Sequence, residues 1–241
     1  MTKRKTHDIL KGKRKNADMG GSYMSENPEK NGLFAKISEL WKSRDIPVKF
    51  EKRGDYAVIT GPRDSLLPKA EMPAVIRGIP VKKIDSRAFV QCNFLEEVTI
   101  ADGIEILDTN AFSYCEKLMQ VHMADSVRSI GRNCFFECKN MFCVDLSAAL
   151  YEICDRAFYG CIGLRDIKLP DGVECIGEQA FYGCNKLKSI NIPLALKHLP
   201  RNAFEGCTEL ERIYLEKGSP ADKVLSKSGY YAQLLCYIPR F

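Results

Sequence analysis

Histidine is scarce in this chain: there are 3 in 241 residues, and one of them, His7, lies within a run of lysines and arginines. The other two, His122 and His198, fall on separate outward-facing stretches, so no shared general-base arrangement is expected. Cys-x-x-Cys and His-x-x-x-His pairs are also missing, which argues against structural zinc. Cys134, Cys138 and Cys143 form the nearest cluster. The glycine-rich phosphate loop, the dinucleotide fingerprint, the Gly-x-Ser-x-Gly elbow and the His-Glu-x-x-His helix do not occur. Carboxylate pairs such as Glu96 with Glu97, or Asp102 with Glu105, recur without any sign of a pocket that would raise a pKa. No catalytic residue, metal ligand or cofactor is therefore expected. No apolar run approaches the roughly 18 residues of a membrane-spanning helix. Where a signal peptide would place its apolar stretch, Lys11–Lys15 stands instead.

The charge that is present is unevenly placed. Residues 1–16 hold Lys3, Arg4, Lys5, Lys11, Lys13, Arg14 and Lys15 against Asp8, a net +6, so the formal +5 of the whole leaves −1 for everything else. A broad basic footprint for nucleic acid on the folded part is not expected. Binding of nucleic acid or an anionic membrane is expected, if anywhere, through the 1–16 tail. Residues 1–32 show almost no apolar periodicity and read as a disordered leader.

What the chain has in abundance is repetition. Phe89, Phe112, Phe135, Phe158, Phe181 and Phe204 lie 23 apart, as do Cys92, Cys115, Cys138, Cys161, Cys184 and Cys207. A fixed period in this range signals a solenoid. Within each unit an alternating apolar segment such as Ile167-Lys168-Leu169 or Ile190-Asn191-Ile192 has the period of a half-buried strand. A turn follows, then a second apolar pair (Val127 and Ile130, Val173 and Ile176), then Ala-Phe-x-x-Cys as a tight helical turn. One short parallel strand per repeat is the expectation. About seven apolar side chains at roughly 1.5–3 kcal/mol each cannot offset ordering a whole unit at about 1–2 kcal/mol per residue, so each unit needs its neighbours.

Val173-Glu174-Cys175-Ile176-Gly177-Glu178-Gln179-Ala180-Phe181-Tyr182-Gly183-Cys184 carries a family resemblance almost position by position, and Pro170 and Pro193 close two strands in the same style. The units resemble the BspA-like leucine-rich repeat over roughly residues 75–217. The resemblance implies a right-handed leucine-rich-repeat superhelix of stacked short parallel β-strands with end caps. It divides the chain into the leader, a cap over 33–80, six repeats over 81–217 and a second cap over 218–241. The first cap should combine an amphipathic helix (Phe34, Ile37, Leu40, Trp41) with a hairpin from Val48–Phe50 to Tyr56–Val58 around Gly54; residues 221–235 should close the other end. The third copy departs from the pattern, with Cys134, Met141 and Phe142 in place of Ala, Leu and a polar residue.

Eleven cysteines without an export signal point to a reducing compartment and free thiols. Adjacent members of the column are close enough for bridging, but side-by-side Cβ vectors would strain a disulfide, and buried cysteine is an ordinary core residue. The expected role is a non-enzymatic scaffold, cytoplasmic, that binds a protein or peptide through its strand-lined face. Met119, His122, Phe142, Cys143 and Asp145 form the central patch, with Lys168, Asn191 and Tyr214 further along it. Two readings stay open for Met119 and Phe142: exposed anchors, or side chains folded into an irregular third repeat. An adhesion protein at the cell surface, exported by an unrecognised route, is the alternative role. Arg53-Gly54-Asp55 spells the integrin-binding tripeptide, but Gly54-Asp55 is equally a hairpin turn.

Overall fold

The computed structural model describes residues 46–238 except Ser65. The basic leader and the segment around Phe34, Ile37, Leu40 and Trp41 lie outside the described residues. At the N-terminal end, β1 (Val48–Arg53) and β2 (Tyr56–Pro62) form an antiparallel hairpin around Gly54. Then come β3 (Lys69–Met72), β4 (Val75–Ile76) and β5 (Ile79–Ile84).

The repeats follow as pairs of short strands: β6 (Glu97–Ile100) with β7 (Ile106–Leu107), β8 (Gln120–Met123) with β9 (Ser129–Ile130), and β10 (Cys143–Asp145) with β11 (Glu152–Ile153). The series continues with β12 (Asp166–Ile167) and β13 (Cys175–Ile176), β14 (Ser189–Asn191), and β15 (Arg212–Glu216). The expectation of one strand per repeat is therefore corrected. The second apolar pair also forms a parallel ladder, joining β5, β7, β9, β11 and β13, and a bridge carries it on from Cys175 to His198.

The longer strands line the other side, and they do not make one sheet. β3, β6, β8 and β10 form one parallel set; β12, β14, β15 and the C-terminal β16 (Leu235–Ile238) form another. Before β16 come helix α1 (Pro220–Leu225), capped by the Ser219 side chain accepting from the Asp222 N–H, and a 3₁₀ turn over Tyr231–Leu234.

Between the two ladders, the Ala-Phe-x-x-Cys turn alternates two kinds of bond. The Phe89 N–H donates to Ala111 O of the next coil at 2.7 Å, and the Cys92 N–H returns to Phe89 O within its own coil at 3.2 Å. The geometry demands positive φ just before the cysteine. Gly160, Gly183 and Gly206 supply it at 68°, 68° and 79°, while Gln91, Tyr114 and Glu137 adopt it in the earlier copies without glycine's freedom.

The core is a column of stacked rings. Phe89, Phe112, Phe135, Phe158, Phe181 and Phe204 follow one another at centroid distances of 5.1 to 5.8 Å, and Tyr231 of the C-terminal cap closes the stack edge-on at 6.4 Å. Beside it runs the cysteine column. Each thiol from Cys115 onward donates to the carbonyl of the preceding coil's phenylalanine, for example Cys161 Sγ to Phe135 O at 3.1 Å. The same carbonyl takes an N–H from its own coil, so cysteine adds a second donor to a buried acceptor. All cysteines are free among the described residues, and burial pushes Cys92 and Cys207 up to about 12. In the irregular third copy, Cys134 and Met141 are fully buried in the slots of Ala and Leu.

Candidate functional site

On the first of the two longer-stranded sheets, alternation sends Val98, Val121 and Val144 inward and leaves their flanking residues on the open face. In-register pairing then aligns those flanking residues into rows across the strands. One row is Thr99, His122 and Asp145; the adjacent one is Glu97, Gln120 and Cys143. Basic and acidic side chains alternate across the face. Lys69 Nζ meets Glu97 at 2.8 Å, His122 Nε2 lies 4.0 Å from Glu97, and His122 Nδ1 meets Asp145 Oδ2 at 2.5 Å.

A cysteine, a histidine and an aspartate thus share one small area, which invites comparison with a nucleophilic triad. The geometry argues otherwise. Both imidazole nitrogens face carboxylates, and the Cys143 sulfur has its polar contact with Asp145, at 4.0 Å. Partial burial first, and the neighbouring carboxylate second, raise the Cys143 thiol above its ordinary value. An activated thiolate needs the reverse. The row is a hydrogen-bonding surface instead.

Met119 and Phe142 precede β8 and β10 in equivalent slots, and the Phe142 N–H donates to Met119 O at 3.0 Å. Their side chains are 36% and 42% exposed, which places them on the surface rather than in the core. Together with His122, Cys143 and Asp145 they form one contiguous patch on adjacent coils.

The other three residues fall on the second sheet and differ from one another. Lys168 is exposed just beyond β12. Tyr214, half-buried on β15, receives a long contact from Arg212 Nη1 at 3.4 Å. Asn191 is engaged with backbone: its Nδ2 donates to Leu169 O at 2.8 Å and its Oδ1 accepts from Leu169 N–H at 2.9 Å. That amide extends the ladder past the end of the two-residue β12, so Asn191 serves the scaffold and offers its amide poorly to a partner.

Sequence reasoning missed the rim beside this face, where the residues of the Cys-x-x-Leu-x segments project. Phe94 and Ile162, 39% and 37% exposed, belong to it with Met119 and Phe142. The signal was available, since the slots between and after Cys and Leu hold apolar residues where a solvated rim needs none.

The cap seam also holds a cavity, of about 620 Å³, between the last coil and Tyr230 and Tyr231, with Arg201 and Cys207 in its wall. Its ionisable thiol and phenol are poor candidates for chemistry: burial raises both Cys207 and Tyr231 to about 12 and keeps them protonated at neutral pH. Among the described residues no group of three or more His, Cys, Asp or Glu is placed to hold a metal ion, and no helix is long and apolar enough to cross a membrane.

A family model described as the BspA type leucine rich repeat region (6 copies) matches residues 140–221. Over those residues the repeats are of the BspA leucine-rich type. A leucine rich repeat protein of T. pallidum, TpLRR, has a crystal structure similar to this fold at a TM-score of 0.65 and 27% identity, covering 69% of this chain and 78% of that one. A leucine-rich repeat protein from Bacteroides ovatus is similar at 0.61 and 28%, over 70% of this chain and 46% of its own. No curated protein matches the sequence. The chain is a leucine-rich-repeat scaffold, and its stacked parallel strands are the architecture of those relatives.

Proposed function

We propose that this scaffold is non-enzymatic and binds a protein or peptide partner through its strand-lined face, with Met119, His122, Phe142, Cys143 and Asp145 at the centre. The observation that carries the reading is the exposure of Met119 and Phe142 side by side on rigid coils, next to a polar row already ordered by in-register pairing. Exposed aromatic and methionine side chains on a preorganised surface are favoured interface anchors. Ordered strands also lose little entropy when they bind. The column of free thiols favours a reducing compartment, in keeping with a cytoplasmic protein.

Immobilised protein and lysate of the source organism test this. Met119→Ala combined with Phe142→Ala should lose capture of a partner, identified by mass spectrometry, that the unaltered protein retains. Capture of the same partner at undiminished yield by the double variant would remove the patch from the interface. Cell fractionation adds the location: an exclusively surface-exposed pool would favour an adhesion role instead.

A further inference from the structure

The two longer-stranded sheets meet between β10 and β12, and no ladder joins those strands. At that junction an open notch of about 580 Å³ lies on the rim. Its floor is Gly163, whose N–H donates to Lys139 O at 2.9 Å. A Cβ at Gly163 would come within 2.9 Å of the carbonyl oxygens of Lys139 and Met141, so the fourth coil sits against the third with no room for a side chain. The equivalent slots of the other copies hold Phe94, Lys117, Asn140, Lys186 and Glu209. The notch lies at the one copy that has glycine in this slot.

Its walls combine two chemistries. Phe142 and Ile162 contribute exposed apolar surface. Lys139, Arg165 and Lys186 contribute cations. Lys139 shares Glu137 at 3.3 Å, whereas Arg165 and Lys186 have no carboxylate within ion-pairing distance among the described residues. The slot after the leucine reads Glu96, Met119, Phe142, Arg165, Lys188, Glu211 along the solenoid. The positive stretch is thus an island between acidic ends, with apolar surface on its N-terminal side.

We infer that this notch docks an extended acidic peptide segment of another protein, with one aliphatic or aromatic side chain of that segment lying against Phe142 and Ile162. This rests on the proposed function and names the chemistry of the partner. Unpaired cations on a rigid rim attract carboxylates at long range and fix orientation, and the adjoining apolar pair supplies the anchor. A nucleic acid fits less well, since its phosphates would run on from the short cationic island to Glu96 or Glu211.

The test uses the full chain and three fluorescein-labelled probes: a short peptide of Glu and Asp around a Leu-x-Leu centre, the same peptide with Lys at every acidic position, and a single-stranded oligodeoxynucleotide. The acidic peptide should bind with an affinity that falls as salt is raised, and the lysine peptide should not bind. Arg165→Glu with Lys186→Glu should weaken the acidic peptide at least tenfold, and Ile162→Ala several-fold. Lys49→Glu, at the far end on β1, should leave it unchanged. Thermal melts show whether the charge reversal leaves the fold intact; if it does not, the salt dependence of the unaltered protein and the Ile162→Ala variant decide.

Absent binding, equal binding of the lysine peptide, insensitivity to the reversal or to Ile162→Ala, or tighter binding of the oligonucleotide would each overturn the inference. A partner whose capture depends on Met119 but not on Arg165 would overturn the notch alone and leave the strand-face reading standing. If capture depends on neither, both fall.

Discussion

The two ladders of this solenoid are built from the same coils but differ in continuity. The ladder that runs from β5 through the two-residue β7, β9, β11 and β13 to the Cys175–His198 bridge is unbroken, whereas the ladder of mostly longer strands stops at β10 and begins again at β12. Length of strand is therefore not what keeps coils in register. The Phe and Cys columns, where every copy presents the same residue, run between the two ladders. The interrupted side carries the variable slots, and it breaks where Phe142, Gly163 and Arg165 depart from their neighbours. On the interrupted side the variable slots supply the exposed Met119, Phe142 and Ile162 and the notch.

That contrast is broken most severely at the ring stack. Phe158 is fully buried between Phe135 and Phe181 at 5.4 and 5.3 Å. Phe158→Ala should destabilise by roughly 3–5 kcal/mol and loosen both neighbouring coils, since each repeat is held by its neighbours. Thermal melts and hydrogen exchange measure this. Phe142→Ala, on the variable side, should move the melting temperature little. If the two variants unfold alike, Phe142 belongs to the core and the patch is lost.

A smaller effect sharpens the contrast at Asn191, which sews β14 to the chain beyond β12. Asn191→Ala removes two hydrogen bonds to Leu169 and should cost about 1–3 kcal/mol, on the scale of 0.5–1.5 kcal/mol per bond. Denaturant unfolding would show it. A neutral result would mean that solvent replaces the amide there.

Chemistry separates the two sides without a mutation. The thiols of Cys115, Cys138, Cys161, Cys184 and Cys207 are buried and donate to carbonyls, while Cys175 is exposed on the second ladder. Native alkylation followed by mass spectrometry should label Cys175 first and the column last. Disulfides between successive column members, found under non-reducing conditions, would contradict the proposal of a reducing compartment.

Much of this was legible in the sequence because identical residues at a fixed period locate columns directly. Phe158 and Cys161 announce their burial, and Gly54 announces its hairpin turn. The second ladder was not legible. Strands such as Ser129–Ile130 and Glu152–Ile153 are too short for an alternation to be read, and their pairing comes from stacking rather than propensity. The interruption between β10 and β12 was hidden too, since the alternating segments of the third and fourth copies read alike. At the site, the patch of Met119 and Phe142 could be named from slot equivalence, but its exposure could not, and the engagement of Asn191 with Leu169 needed the loop beyond β12.

The weakest expected effect concerns the start of the continuous ladder. Lys83 Nζ lies 2.5 Å from Asp108 and 3.3 Å from Asp85, joining β5 to the turn after β7. Burial alone would push the Asp108 carboxyl up, but the bonds from Lys83 and from the Thr109 N–H outweigh it and hold the group below 3.8. A carboxylate held below its unfolded value contributes stability that is fully present above that value and lost as pH falls through the folded one. Unfolding free energy should therefore decline as pH drops below about 4, with about 0.5–1 kcal/mol of the loss due to this partly exposed pair. Asp108→Asn should remove that share: the variant starts less stable at pH 7, and the gap to the unaltered protein narrows in acid. Parallel curves at all pH values would mean that the pair adds no pH-dependent stability, and that the ladder's continuity rests on packing and backbone bonds alone.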